Sequence, residues 1–219
     1  MSQRNRWLIR IFFIGWMAFL WIFVKQPYEF LLLNTFLGYI PIELGFHLNA
    51  SQPKSRVIFW ITFVIWLLFY PNAPYMLTDL FHLSLLSPYA ADGLLKLSIH
   101  MWAYFSFMLI STLFCTVFGM WSLGHVSNAI AGRLANHHIW ARNLIIIVLT
   151  VLSSIGIFIG RFLRIHTIYL ITSPNFIVNR LMTMWTPKML MFVVILSIMQ
   201  LLIFGFFSLI RQTPKFEDK

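Results

Sequence analysis

The feature that most restricts this chain is the recurrence of long, nearly charge-free apolar runs. A helix rises about 1.5 Å per residue, so about 20 apolar residues cross the roughly 30 Å hydrocarbon core of a bilayer. Such runs occur at Trp7–Val24, Tyr28–Leu48, Val57–Tyr70, Leu97–Trp121, Asn143–Gly160 and Met189–Ile210. The third is short and stops at Pro71. An apolar but interrupted stretch, Ile165–Pro187, separates the last two. Lipid offers no partner for a backbone N–H or C=O, so each run must satisfy its own groups as a helix. Strands of a membrane barrel would alternate apolar and polar residues, and no such alternation is present. Composition agrees: 60% of the 219 residues are hydrophobic and 10% are charged, against roughly 25% charged in soluble domains. The expectation is an all-α, polytopic membrane helix bundle of about six transmembrane helices plus short interfacial helices. It forms a single integral membrane domain over residues 1–219.

Arg4 and Arg6 precede the first run and Arg10 lies near its start, as basic residues precede the core of a signal peptide. The segment that follows, FVKQPYEF, has no small-x-small cleavage site, so a retained first span is expected. Cys115, the single cysteine, lies inside the fourth run, which excludes an intramolecular disulfide and cysteine-cluster metal sites. No cofactor or metal is expected. With both termini inside, Arg4, Arg6, Arg10, Lys54, Arg56, Arg133, Arg142, Arg211, Lys215 and Lys219 fall on the inner side. They outnumber the outer Lys25, Lys96, Arg161, Arg164, Arg180 and Lys188, so the bias of lysine and arginine favours cytoplasmic termini. The net charge of +10 reads as anchoring beside anionic membrane lipids rather than binding to nucleic acid.

Within this apolar chain, FYPNAPYMLTDLFHLSLL, Phe69 to Leu86, gathers two prolines, an asparagine, an aspartate and a histidine. Pro71 and Pro74 lack a backbone donor and are expected to end the third helix near Tyr70. Asn72 is expected to cap a new helix with Pro74 in its first turn. Tyr75, Thr78 with Asp79, and His82 recur at three to four residues and share one stripe. Leu77, Leu80, Phe81 and Leu85 lie elsewhere, which suggests an amphipathic segment at the outer interface. Asp79 and His82 read either as a solvated i,i+3 pair or as a specific polar site, because an acid in an apolar segment is costly unless paired.

A second cluster is GIFIGRFLRIH, Gly156 to His166. Gly156 and Gly160 form a small-xxx-small face that admits a close helix neighbour. Arg142 and Arg161 are about 28 Å apart along a helix and so mark opposite membrane surfaces. Arg161 and Arg164 then lie at the outer face, level with Asp79 and His82. They either snorkel to lipid phosphates or complete a shared cluster with Asp79 and His82, where Asn72 adds a group able to meet a substrate or lipid headgroup.

PNAPYMLTDLFHL together with GRFLR resembles a family of uncharacterised bacterial integral membrane proteins, domain-of-unknown-function family 1361. NTFLGYIPIEL in the second run is similar to that family's N-x-F-L-A-W-I-P stretch, and the resemblance covers about Asn34 to Arg164. It implies a bacterial plasma-membrane location and no established activity. In the family the GR-x-x-R segment continues as Asn-Ser-Trp-Asp. Here it continues His166, Thr167, Ile168, Tyr169, so any reaction that used that acid is absent here or proceeds differently.

Glu43 and His47 form an i,i+4 pair near the inner end of the second run. Glu43 is either an intramembrane acid with a function or an interfacial one. In SPNFIVNRLMTMW, Ser173 and Pro174 start a helix expected to lie on the outer interface. Three functions remain open. In an inter-helix brace or accessory subunit, Asp79 pairs with Arg161 or Arg164, and partners are a protein or a second copy of the chain. In a lipid-directed envelope enzyme, Asp79 and His82 are the catalytic candidates and the two arginines hold an anionic group. A small transporter would use Glu43 and Asp79 as a polar path.

Overall fold

The computed structural model describes residues 1–134, 138–163 and 174–212. Its helices are α1 (Gln3–Phe23), α2 (Phe30–His47), α3 (Arg56–Phe69), α4 (Asn72–Asp79), α5 (Ile99–Leu134), α6 (Ile139–Phe158), α7 (Pro174–Thr183) and α8 (Pro187–Gln212). A 3-10 segment, Leu80–Leu86, follows α4, and a π-helical segment, Ile159–Leu163, follows α6. Among the described residues there is no strand, and one isolated antiparallel bridge joins Tyr89 to Leu95. Six stretches are long and apolar enough to cross a membrane: Gln3–Phe23, Phe30–His47, Arg56–Leu86, Ile99–Leu134, Ile139–Leu163 and Pro187–Ile210. The chain is therefore the all-α helical bundle expected. It divides into two compact units, Met1–Val126 and Ser127–Lys219, with the boundary inside α5.

Local chemistry sets the helix ends. Ser2 accepts from the Asn5 N–H at the start of α1, and Ser55 accepts from the Ile58 N–H at the start of α3, each removing one orphan donor. Thr186 accepts from the Met189 N–H at the start of α8, where Pro187 occupies the first helical position.

In the first unit, partner residues fix the helix directions. Between α1 and α2, Arg10 meets Glu43 and Phe13 meets Tyr39, so the two are antiparallel. Between α1 and α5, Phe12 stacks on Phe114, and the Trp16 indole N–H donates to Ser111 at 2.8 Å, again antiparallel. Between α2 and α5, the Cys115 thiol reaches the Thr35 carbonyl and Ser122 donates to the Pro41 carbonyl, so these run parallel. Trp66 on α3 donates to the same Ser122 at 2.9 Å, and Thr112 on α5 donates to the Met76 carbonyl on α4. The unit is an up-and-down packing around α2 and α5. Its fully buried large side chains, Phe13, Phe46, Phe59, Trp66 and Tyr70, come from all of these helices except α4 and α5, which add Met76 and Met108.

As the sequence led us to expect, α3 ends at Phe69, beside the proline pair, and a new helix starts at Asn72 with Pro74 in its first turn, but the path of the chain hardly breaks. Tyr70 and Pro71 both keep right-handed helical dihedrals, and Tyr75 N–H bonds the Pro71 carbonyl at 2.9 Å. The prolines therefore interrupt the hydrogen-bond ladder without breaking the path, and α3, α4 and the 3-10 segment form one kinked element. Asn72 does not act as the expected cap. It is the first residue of α4, Pro71 takes the cap position, and the Asn72 amide donates back to the Phe69 carbonyl at 2.9 Å. The kinked element runs antiparallel to α2. Trp66 lies by the Pro41–Gly45 turn through Ser122, Asn72 lies by Gly38, and Asp79 lies by Asn34.

In the second unit, α6 and α8 are antiparallel: Ser154 meets Ser197 and Phe158 packs on Phe192. A buried polar seam joins them. Gln200 donates to Ser154 at 2.9 Å and accepts from Ser153, and Ser197 donates to Ser154. In lipid such bonds and close small-residue contacts hold helices together, because apolar surface gains little by leaving one hydrocarbon for another.

Candidate functional site

The described part of the site is built where the kinked element ends beside the first turns of α2. Asp79 is the last residue of α4, with no exposed surface. The Asn34 side-chain amide donates to its carboxylate at 2.7 Å. The His82 Nδ1 atom sits 3.0 Å from the Asp79 carbonyl and 3.7 Å from its carboxylate. A carbonyl can only accept, so Nδ1 carries a proton, and the chemistry of this ring with any outside group passes through Nε2. The ring packs against Phe30 at 4.4 Å between centroids, and Tyr28 donates to the His82 carbonyl at 3.4 Å. Burial, with the neighbouring Tyr104 as a smaller cause, pushes the Tyr28 phenol above its ordinary value, so the group stays a donor.

The 3-10 geometry here has a local cause. Thr78, His82 and Ser84 each bond the carbonyl three residues back: Tyr75, Asp79 and Phe81. Side chains that take these carbonyls compete with the α-helical ladder and tighten the turn. The stripe expected from the sequence is present, and it faces inward. Thr78 and Asp79 are buried, while Phe81 and Leu85 are largely exposed. Polar groups turned to protein and apolar ones outward is the pattern that lipid would require of a helix.

At the opposite end of α2, Glu43 accepts two hydrogen bonds from Arg10, one of them at 3.0 Å, and one from Tyr39 at 2.6 Å. His47 contacts it at 3.2 Å. The Arg10 guanidinium also lies over the rings of Trp7 and Phe46. Glu43 is thus the hub of an α1–α2 clamp and not an isolated intramembrane acid. Sequence spacing revealed only its His47 partner.

Arg161 lies in the π-helical segment of the second unit, as does Gly160, and Gly156 lies in the last turn of α6. Arg164 falls outside the described residues. Pro74 is buried in the first turn of α4. Asn34 and Tyr28, which complete the environment of Asp79 and His82, were not singled out from the sequence as site residues. Asn34 was visible only as the first residue of NTFLGYIPIEL. Among the described residues no group of three or more His, Cys, Asp or Glu is placed to hold a metal.

A family profile described as protein of unknown function (DUF1361) matches residues 33–203. No curated protein and no solved structure matches the chain. The matched range contains Asn34, Asp79 and His82 and leaves out all of α1.

Proposed function

The chain belongs to that family of proteins of unknown function, and from this premise we propose that its Asn34–Asp79–His82 cluster is an inter-helix brace in a multi-pass membrane protein, the scaffold of an accessory subunit. The observation that carries the reading is the complete burial of the Asp79 carboxylate against the Asn34 amide. An acid enclosed in this way fastens helices, because its worth lies in the donors that surround it and its loss leaves them unpaired. A second reading has its own support: the His82 side chain is 29% exposed beside the buried acid, an arrangement in which a histidine can act on a lipid headgroup with its tautomer held from behind.

Two variants separate these readings. Asp79→Asn is expected to lower the amount of folded protein in the membrane sharply. His82→Gln is expected to leave accumulation near normal and the lipid profile unchanged. Normal accumulation of both variants with a changed lipid profile would overturn the brace and favour the enzyme. Combining Asp79→Asn with Arg161→Gln, and separately with Arg164→Gln, asks about the cationic partners expected from the sequence: restored accumulation adds that arginine to the brace. The inner position of both termini and residence in the plasma membrane belong to the same proposal. Accessibility of cysteines placed at Ser2 and at Lys219 to an impermeant thiol reagent in intact cells tests the orientation, and labelling of either would refute it.

A further inference from the structure

We infer that the segment between the kinked element and α5, residues 87–98, is a hairpin that lies in the lipid interface with its leucines in the acyl region. The inference rests on the membrane-spanning reading of the flanking elements, and not on the brace.

Part of the backbone of this segment bonds within it. Ala90 N–H bonds the Leu94 carbonyl at 2.9 Å, Gly93 N–H bonds the Ala90 carbonyl at 3.0 Å, and Lys96 N–H bonds the Pro88 carbonyl at 2.9 Å. Ser87 takes a left-handed conformation, φ 45°, at the end of the 3-10 segment, and Gly93 supplies φ 80° at the tip. Side chains complete the closure. The Asp92 carboxylate accepts from the Leu94 N–H at 3.0 Å, and the Lys96 ammonium donates to the Ser87 carbonyl at 2.9 Å. Each charged group of the hairpin thus bonds the local backbone, although both residues remain exposed.

Large apolar side chains are exposed beside these two charged residues. Tyr89, Leu94, Leu95 and Leu97 are 65%, 68%, 50% and 91% exposed. This surface continues without interruption into Phe81 and Leu85 on one side and Ile99 and Trp102 on the other, all of them exposed side chains of elements long and apolar enough to cross a membrane. A water-filled loop would gain nothing from four exposed large apolar groups. A hairpin in the interface can set them in the acyl region while its exposed Asp92 and Lys96 stay among the headgroups and water. The occupant of this surface is therefore the outer edge of the bilayer, with the leucines about 5–10 Å below the headgroup boundary.

The test uses the full chain reconstituted in phosphatidylcholine vesicles, with Cys115→Ala to remove the native thiol and a single environment-sensitive fluorophore at Leu97→Cys, Leu95→Cys or Ala91→Cys. Leu97 and Leu95 are exposed, so these substitutions remove little packing. The expected result is strong quenching of the labels at 97 and 95 by lipids brominated on the acyl chain, several-fold stronger than that by aqueous iodide, and the reverse order at 91. Iodide quenching at 97 and 95 equal to that at 91 would place the hairpin in water and overturn the inference. Protection of 97 and 95 from both quenchers would show a protein covering, such as a second copy of the chain, and would overturn it equally. Loss of the brace in an Asp79→Asn protein bears on neither outcome, so the two proposals fail separately.

Discussion

Asn34 and Asp79 are 45 residues apart in the chain, and their side chains meet at 2.7 Å. The bond ties the second turn of α2 to the last residue of α4, and it does so at a carboxylate with no exposed surface. Asn34→Ala removes one donor and returns no water, so the carboxylate keeps its desolvation penalty without this compensation. The expected cost is about 1–3 kcal/mol, read as a lower unfolding midpoint of the purified protein in detergent. Asn34→Asp is expected to be worse, because it sets a second acid against a buried one. Wild-type stability in both variants would refute a structural role for the contact.

The same pair shows which parts of the fold were legible in advance. The spans were, because a bilayer imposes a minimum run length that any reader of the chain can measure. The stripe of Thr78, Asp79 and His82 was legible too, because helical periodicity is local. Its depth was not. The prolines at 71 and 74 read as a stop, and α3 does end at Phe69. Tyr70 and Pro71 nevertheless keep helical dihedrals, so the chain carries on alongside α2 as α4 and brings Asp79 to Asn34. The missing N–H groups end the hydrogen-bond ladder, and packing against α2 and α5 keeps the kinked path going. Partners such as Arg10 for Glu43, or Trp66 for Ser122, have no periodic signature, since they depend on the register between helices far apart in sequence.

The Arg10–Glu43 pair fastens α1 to the C-terminal part of α2. Its side chains are 19% and 29% exposed, between a surface pair and a buried one. Arg10→Gln is expected to cost more than the roughly 1 kcal/mol ceiling of an exposed pair and less than the roughly 3 kcal/mol of a fully buried one. Arg10→Lys keeps the charge but loses the two-pronged contact and the ring stacking, and it is expected to fall between wild type and Arg10→Gln in detergent unfolding. Equal stability of the lysine variant and wild type would show that charge alone matters at this position.

Gly45 on α2 packs closely against Ser122 on α5. A Cβ at position 45 would collide with the Ser122 hydroxyl and approach its Cβ to 3.3 Å. That hydroxyl accepts from Trp66 and donates to the Pro41 carbonyl, so it cannot turn away freely. Gly45→Ala is expected to destabilise by about 1–3 kcal/mol through overpacking, although alanine favours a helix. Gly15→Ala is the control. Nothing lies within 4 Å of the added atom, and the change is expected to be neutral or to stabilise by up to about 1 kcal/mol. Comparable loss in both variants would mean that the packing contact is not what Gly45 serves.

In the second unit, Gln200 occupies the centre of the seam between α6 and α8. It donates to Ser154 at 2.9 Å and accepts from Ser153 at 3.2 Å, with all three side chains buried. Gln200→Met keeps the volume and removes both bonds. Ser154 retains its bond to the Thr150 carbonyl and the donor from Ser197, whereas Ser153 loses the acceptor seen here. A double-mutant cycle of Gln200→Met with Ser154→Ala isolates one of these bonds. The coupling energy is expected near 0.6 kcal/mol and no higher than about 1.7 kcal/mol, the range found for hydrogen bonds between membrane helices. It is small because a helix released into lipid finds other partners for the same groups. A coupling indistinguishable from zero, measured by unfolding in detergent, would show that small-residue contact alone carries this interface. A value near the upper end would show that the seam is dry and held in register.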